Sequence, residues 1–147
     1  MTIFDQLTED MKRALKAGEK ERLSTIRLLR GQLKNSAIDK QADLTEAEEI
    51  AVLNSAAKKR RESIEAFGHA GRQDLVDKET AELAVILSYL PQPLSDREVE
   101  AIVDEVIAQV GALSPKEIGK VMPLVMARVQ GRADGKKVNE MVRLKLS

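Results

Sequence analysis

The sequence of 147 residues contains no cysteine and no tryptophan, and its one histidine is His69. Without thiols the chain can form neither disulfides nor thiolate metal sites, and a lone histidine excludes a histidine-rich zinc cluster. Aromatic residues make up 2% of the chain, so the side chains on which single-stranded nucleic acids stack are scarce. Any hydrophobic core must therefore be built from Leu, Ile, Val, Ala and Met.

Long apolar runs are also missing. No stretch is long enough for a signal peptide or a membrane span, and the first predicted helix carries carboxylates at Asp5, Glu9 and Asp10. The sequence therefore predicts a cytoplasmic protein that does not engage a membrane.

Catalytic motifs are absent as well. A nucleophilic serine needs an oriented base beside it, and the serines are scattered along the chain without a Gly-Gly-Ser-Ser run. Gly119-Lys120 and Gly135-Lys136 lack the upstream glycine and the following Ser or Thr of a phosphate-binding loop. We therefore predict no catalytic residue, no cofactor and no metal site.

The residues that are present favour helices. Hydrophobic residues make up 43% of the chain and charged residues 33%, a mixture typical of amphipathic helices. Capping boxes at Thr45–Glu48 and Ser95–Glu98 mark two helix starts. No segment shows the alternation of apolar and polar residues that a half-buried strand requires. The sequence predicts an all-α fold.

Prolines mark the predicted boundary between two helical domains. Pro91 and Pro93 flank one residue and disfavour helix on both sides, which gives a stiff extended connector. The prediction is a larger N-terminal domain of about four helices over residues 1–90, a connector over 91–94, and a small three-helix domain over 95–147.

Two predicted helices contain a poor helix former. Gly31 in the second helix costs about 1 kcal/mol relative to alanine, and a close helix crossing would account for it. Pro123 in the sixth helix would clash with the carbonyl of Gly119, so we expect a kink or break near residues 120–122. A loop is predicted over residues 68–71, with His69 exposed in it.

Cations in the N-terminal half form two groups. Arg27, Arg30 and Lys34 recur at helical spacing on one face, where they could meet a protein partner. The run at residues 58–61 fans around its helix, because four consecutive residues are spread over about 300° of rotation. We expect most of that run to be solvated.

Charge is balanced in total but unevenly distributed. The chain has 24 basic and 24 acidic residues. Residues 95–110 contain one arginine and five carboxylates, whereas residues 115–147 contain eight Lys or Arg and three carboxylates. The C-terminal end is therefore basic, with an acidic helix before it.

The segment from Gly119 to Lys137 is the candidate functional site. An apolar helix ends at Gly131, a short turn follows, and a last helix opens on two lysines after Asp134. A helix start with nearby cations suits a phosphate, so we predict a nucleic-acid-binding surface. Its candidate residues are Lys120, Arg128, Arg132, Lys136, Lys137 and Arg143. In the alternative interpretation Asp134 caps the helix itself and the lysines only keep the surface solvated.

Several segments together resemble the GatB/YqeY family. In the C-terminal third these are Ile118–Met122, Gly131–Gly135 and Val138-Asn139, which are similar to the tail domain of GatB. In the N-terminal half they are Met11–Ala14, Arg22–Leu29, Arg60–Ser63, Gly71–Leu75 and Tyr89–Pro91, and the whole chain is similar to the free-standing YqeY group.

The resemblance implies an all-helical protein whose tail contacts tRNA, since GatB is the tRNA-reading subunit of a glutamine-dependent amidotransferase. Members of this family are often assigned carbon–nitrogen ligase activity with glutamine as amido-nitrogen donor, so the resemblance implies that assignment as well. The residues give no catalytic machinery, so we predict an accessory module that binds tRNA or another structured RNA. The alternative is a helical adaptor that binds protein and no nucleic acid. The sequence leaves the oligomeric state open.

Overall fold

The structure is a computed structural model that describes every residue from Met1 to Ser147. It consists of seven α-helices and one short 3₁₀ helix, without strands, which confirms the predicted all-α class. The helices are α1 (Ile3–Ala17), α2 (Lys20–Lys40), α3 (Glu46–His69), α4 (Gln73–Leu87), α5 (Asp96–Val110), the 3₁₀ helix (Pro115–Glu117), α6 (Ile118–Val129) and α7 (Gly135–Leu146).

The chain divides into two compact units, Met1–Leu90 and Pro91–Ser147, and each has its own core. The first unit contains α1–α4, and its largest fully buried side chains are those of Leu7, Ile26, Leu29, Leu33, Leu53 and Ile86. The second unit contains α5–α7, and its fully buried side chains are those of Val103, Val106, Val121, Val125, Val129, Val138 and Val142. Aliphatic side chains thus make up most of both cores, and Tyr89 is the one buried aromatic residue of the first.

Capping side chains fix the helix starts. Thr2, Thr45 and Ser95 each accept the backbone N–H of the residue three positions on, and the side chain of that residue accepts the cap's own N–H. This satisfies two otherwise free donors per helix. The two capping boxes predicted from the sequence are confirmed.

Three local expectations differ from the structure. A kink or break was predicted near residues 120–122, and α6 runs unbroken through Pro123, so the break does not occur. Gly119 and Pro123 both lie on the exposed side of α6, where the carbonyl that loses its donor can turn to water. α3 continues through Gly68 to His69, so the loop is shorter than predicted, although His69 is exposed. A Cβ added at Gly31 would meet nothing within 4 Å, so no helix crosses there.

Candidate nucleic-acid interface

The turn between α6 and α7 is built by two consecutive left-handed residues. α6 ends at Val129, and Gln130 and Gly131 follow with φ of 47° and 75°. Glycine adopts this conformation without the steric cost that a side chain brings. The turn thereby delivers Asp134 to the N-cap position of α7.

Asp134 itself occupies the start of α7. Its Oδ1 accepts the backbone N–H of Lys136 at 3.1 Å. One of the donors that a phosphate would use therefore already has a partner. On this point the structure agrees with the alternative interpretation, since Asp134 caps this N–H of the helix.

Arg132 holds the connector residues at the start of the second unit against the α6–α7 turn. Its Nε donates to the carbonyl of Gln92 at 2.8 Å, and its own carbonyl accepts the N–H of Leu94 at 2.8 Å. The side chain is half-buried. The structure thus gives Arg132 an internal hydrogen-bonding role that the sequence did not indicate.

Acidic residues of α5 engage two cations of the later helices. Nη2 of Arg128 lies 2.6 Å from Oε2 of Glu105. Nζ of Lys145 lies 2.6 Å from Oε1 of Glu100 and 3.3 Å from Oδ1 of Asp104, and hydrogen bonding to Glu100 raises the pKa of Lys145 above its usual range. Part of the basic C-terminal charge is therefore neutralised within the unit.

Three candidate cations of α7 remain exposed and make no ion pair in the structure: Lys136, Lys137 and Arg143. Lys136 and Arg143 are two helical turns apart and lie on the same side of α7, with Lys137 on the adjoining side. Glu140 is the one carboxylate among the exposed residues of this helix. We call Lys136, Lys137 and Arg143 the α7 cationic face.

Lys120 lies apart from the α7 cationic face. It is exposed on α6, two turns before Arg128, and Arg128 points towards α5. Met126 lies on the side of α6 that meets the start of α7. Its terminal methyl carbon would be 3.5 Å from a Cβ built on Gly135. The six candidates therefore divide into the three cations of α7, Arg128 paired with α5, Lys120 near Glu117, and Arg132 in the turn.

Glu117 caps the loop before α6 and shapes the surroundings of Lys120. Its carboxylate accepts the N–H groups of Leu113 and Ser114. The bond from Leu113, with a smaller contribution from Lys120, holds the pKa of Glu117 below its usual range. Lys120 thus faces a carboxylate that stays ionised.

Leu144 is a surface residue that the sequence analysis missed. It lies on the solvent side of α7, near Lys137, and is 75% exposed. The one signal in the sequence was its position out of register with the buried stripe of Val138, Val142 and Leu146. An exposed aliphatic side chain therefore lies beside the α7 cationic face.

The structure contains no cluster of side chains that could bind a metal ion. No three His, Asp or Glu side chains converge in a way that could hold one. None of the helices combines the length and apolarity needed to cross a bilayer.

Comparison with known proteins connects the whole chain to one family. The family model described as Yqey-like protein matches residues 4–146. The protein called Altered inheritance of mitochondria protein 41, mitochondrial, from Pyrenophora tritici-repentis is 28% identical over 97% of this chain and 82% of its own length. Its namesake from Lachancea thermotolerans is 35% identical over 74% of this chain, which spans 60% of that relative.

A shorter similarity reaches a larger protein. One of the subunits of the glutamyl-tRNA(Gln) amidotransferase from Thermococcus gammatolerans is 44% identical over 57 residues, or 36% of this chain and 9% of its own length. This partial match agrees with the resemblance to the GatB/YqeY group. Because the family model covers nearly every residue, the chain belongs to the YqeY-like family.

Proposed function

We propose that the chain is a non-catalytic accessory module that binds tRNA through the α7 cationic face and acts alongside tRNA-dependent amidotransferases, which are carbon–nitrogen ligases with glutamine as amido-nitrogen donor. One observation carries the proposal. Lys136, Lys137 and Arg143 remain exposed and unpaired, while α5 engages the neighbouring Arg128 and Lys145. The α7 cationic face is therefore the part of the second unit best suited to an external polyanion.

The spacing of the α7 cationic face suits recognition of an RNA backbone by shape. Lys136 and Arg143 are separated by about 10.5 Å along the helix axis, at 1.5 Å per residue. Structured RNA is bound largely through phosphates and shape, so the lack of aromatic stacking residues is no obstacle. The proposed contact centres on these exposed cations of α7, because Lys120 lies apart on α6 and Arg128 and Arg132 are bonded to Glu105 and Gln92.

The relatives give this proposal its context. The Thermococcus gammatolerans relative carries tRNA and amidotransferase in its name, and the fungal relatives carry mitochondria in theirs. We propose that the present chain acts in the compartment where tRNA is aminoacylated. The cytoplasmic location stays a prediction.

Removing the α7 cationic face is expected to weaken tRNA binding. The variant Lys136→Ala/Lys137→Ala/Arg143→Ala should lower affinity for bulk tRNA about tenfold or more at low salt, because up to three phosphate contacts disappear. The slope of log affinity against log salt should fall by about 2–3, at 0.7–0.9 per lost contact. Fluorescence anisotropy titrations at several salt concentrations measure both quantities.

The matched control is Lys58→Ala/Lys59→Ala/Arg61→Ala, which removes the same charge from exposed positions of α3. It should change the affinity little. Equal weakening by both triple variants would show that binding follows net charge, and absence of binding by the unmodified chain at low salt would refute the proposal.

A second candidate function, a helical protein-interaction adaptor without nucleic-acid binding, is favoured by a different observation. α2 exposes two large aliphatic side chains, Leu28 and Ile38, beside unpaired cations. Such a surface suits a protein better than an RNA backbone.

A further inference from the structure

The solvent side of α2 forms a surface that the first unit leaves uncovered. It consists of Arg27, Leu28, Gly31, Lys34 and Ile38, which we call the α2 face; all five residues are exposed. Leu28 is 46% exposed and Ile38 is 62% exposed. These aliphatic side chains contribute to neither core, so folding of the chain does not account for them.

Gly31 is the least expected member of the α2 face. Glycine in the middle of a helix is unfavourable by about 1 kcal/mol relative to alanine, and no neighbour in the structure requires its small size. Missing side chains let a second helix approach closely, because the distance between packed helices depends on the side chains at the contact. A glycine flanked by exposed aliphatic residues therefore indicates a helical partner.

The charge on the α2 face specifies the partner further. Arg27 and Lys34 are two turns apart on one side of α2 and make no ion pair in the structure. Arg30, between them, is held instead by Thr8 at 3.1 Å and lies 5.0 Å from the ring centre of Phe4. The complementary surface is a helix with small residues at its centre and carboxylates at its edges.

The outer side of α5 has this composition. Ala101 and Ala108 are exposed and two turns apart, which repeats the spacing of Arg27 and Lys34. The exposed carboxylates lie on both sides of this alanine pair: Glu98 and Glu105 on one, Glu100 and Asp104 on the other. Cations on the α2 face would meet acids whichever edge they approached.

The carboxylates of α5 can accept these additional partners. Glu105 and Asp104 already contact Arg128 and Lys145, but all four side chains stay between 32% and 62% exposed. A carboxylate offers about four acceptor positions, so one cation does not saturate it. We propose that the α2 face of one copy of this chain docks on α5 of a second copy, giving a salt-sensitive self-association.

Sedimentation velocity of the full chain over a wide concentration range tests the proposal. At low salt the mass should rise with concentration above the 16.3 kDa of one chain, and high salt should reverse the rise. The variant Arg27→Glu/Lys34→Glu should weaken association about tenfold or more, since two attractive pairs become repulsive. Gly31→Leu should also abolish association while keeping a good helix former at this exposed position.

The controls separate this surface from general charge effects. Lys58→Glu/Lys59→Glu makes the same charge change on exposed α3 and should leave association unaltered. Mixing Arg27→Glu/Lys34→Glu with Asp104→Lys/Glu105→Lys should restore a complex between the two variants. Circular dichroism confirms that each variant is folded.

Three results would overturn the proposal. A single chain at every concentration excludes a second copy as the occupant. Association that survives Gly31→Leu excludes the α2 face. If the unmodified chain stays monomeric and Arg27→Glu/Lys34→Glu lowers the affinity for tRNA, the α2 face binds RNA and not a second copy.

Discussion

Two buried charged residues hold the first unit together. Glu49 is 4% exposed and accepts the N–H groups of Ile3 and Phe4 at 3.3 and 3.0 Å, so α3 supplies an anchor for the start of α1. Nε of Arg60 lies 3.2 Å from Oε2 of Glu82 and 3.8 Å from Oε2 of Glu79, both on α4. Buried charge is tolerated only with such partners. The Glu49 contacts join α3 to α1, and the Arg60 contacts join α3 to the next helix, α4.

Glu49→Ala is expected to destabilise the first unit by about 1–3 kcal/mol, because two N–H donors lose their buried acceptor. Urea unfolding followed by circular dichroism measures this loss. Glu49→Gln should cost less, since one acceptor oxygen remains. Glu46→Ala, at an exposed position of the same helix, should stay within about 0.5 kcal/mol of the unmodified chain. A Glu49→Ala variant as stable as Glu46→Ala would contradict the anchoring role.

At the scale of single helices, the start of α3 combines several favourable contacts on one carboxylate. Glu48 receives Nζ of Lys40 at 2.5 Å and the backbone N–H of Thr45 at 2.9 Å. The hydrogen bond from Lys40, followed by those from Thr45, lowers the pKa of Glu48 from 4.5 to about 2. The folded state therefore favours the ionised carboxylate.

This lowered pKa predicts a specific loss of stability in acid. Because the folded pKa of Glu48 lies below the unfolded value, its contribution is fully present above about pH 4.5 and disappears as the pH falls to about 2. Glu48→Gln should therefore show a shallower fall in unfolding free energy across this window. Urea titrations at stepped pH values measure it.

Lys40→Met supplies an independent check, since it removes the largest cause of the shift. With Lys40→Met the free energy of unfolding should fall less steeply between about pH 4.5 and about pH 2. Identical profiles for all three proteins would show that the cap of α3 contributes nothing to acid sensitivity.

Local patterns predicted the helices well, whereas the pairing of side chains between helices could not be predicted from them. The caps at Thr45 and Ser95 depend on residues three positions apart, so the sequence displays them. The pairing of Arg128 with Glu105 joins two helices, and no local pattern reveals it. The sequence therefore indicated where in the chain the candidate site lies and that it is basic. Which of its cations are paired and which stay exposed is visible only in the fold.

At the scale of the whole molecule, a net charge of zero conceals a cationic end that is only partly neutralised. The acidic α5 engages Arg128 and Lys145, and the connector engages Arg132. In the second unit the cations that stay exposed without an ion pair are the three of the α7 cationic face together with Arg97, Lys116 and Lys120. Charge totals alone would not have indicated which cations are available.

Arg132→Ala should affect folding of the second unit more than tRNA binding. Loss of the bond to Gln92 is expected to lower its stability by about 0.5–1.5 kcal/mol. Thermal denaturation followed by circular dichroism checks the stability, and the anisotropy titration checks the affinity. A variant of normal stability that binds tRNA as weakly as the triple α7 variant would instead place Arg132 in the RNA contact.

The few aromatic residues have a practical consequence for spectroscopy. Phe4, Phe67 and Tyr89 all lie in the first unit, and the hydroxyl of Tyr89 donates to Asp10 at 2.5 Å. With no tryptophan in the chain, intrinsic emission comes from this one phenol in the Met1–Leu90 unit. Far-ultraviolet dichroism, by contrast, sums the helices of both units. The two signals recorded on one sample therefore separate the melting of the first unit from that of the whole chain without any attached dye.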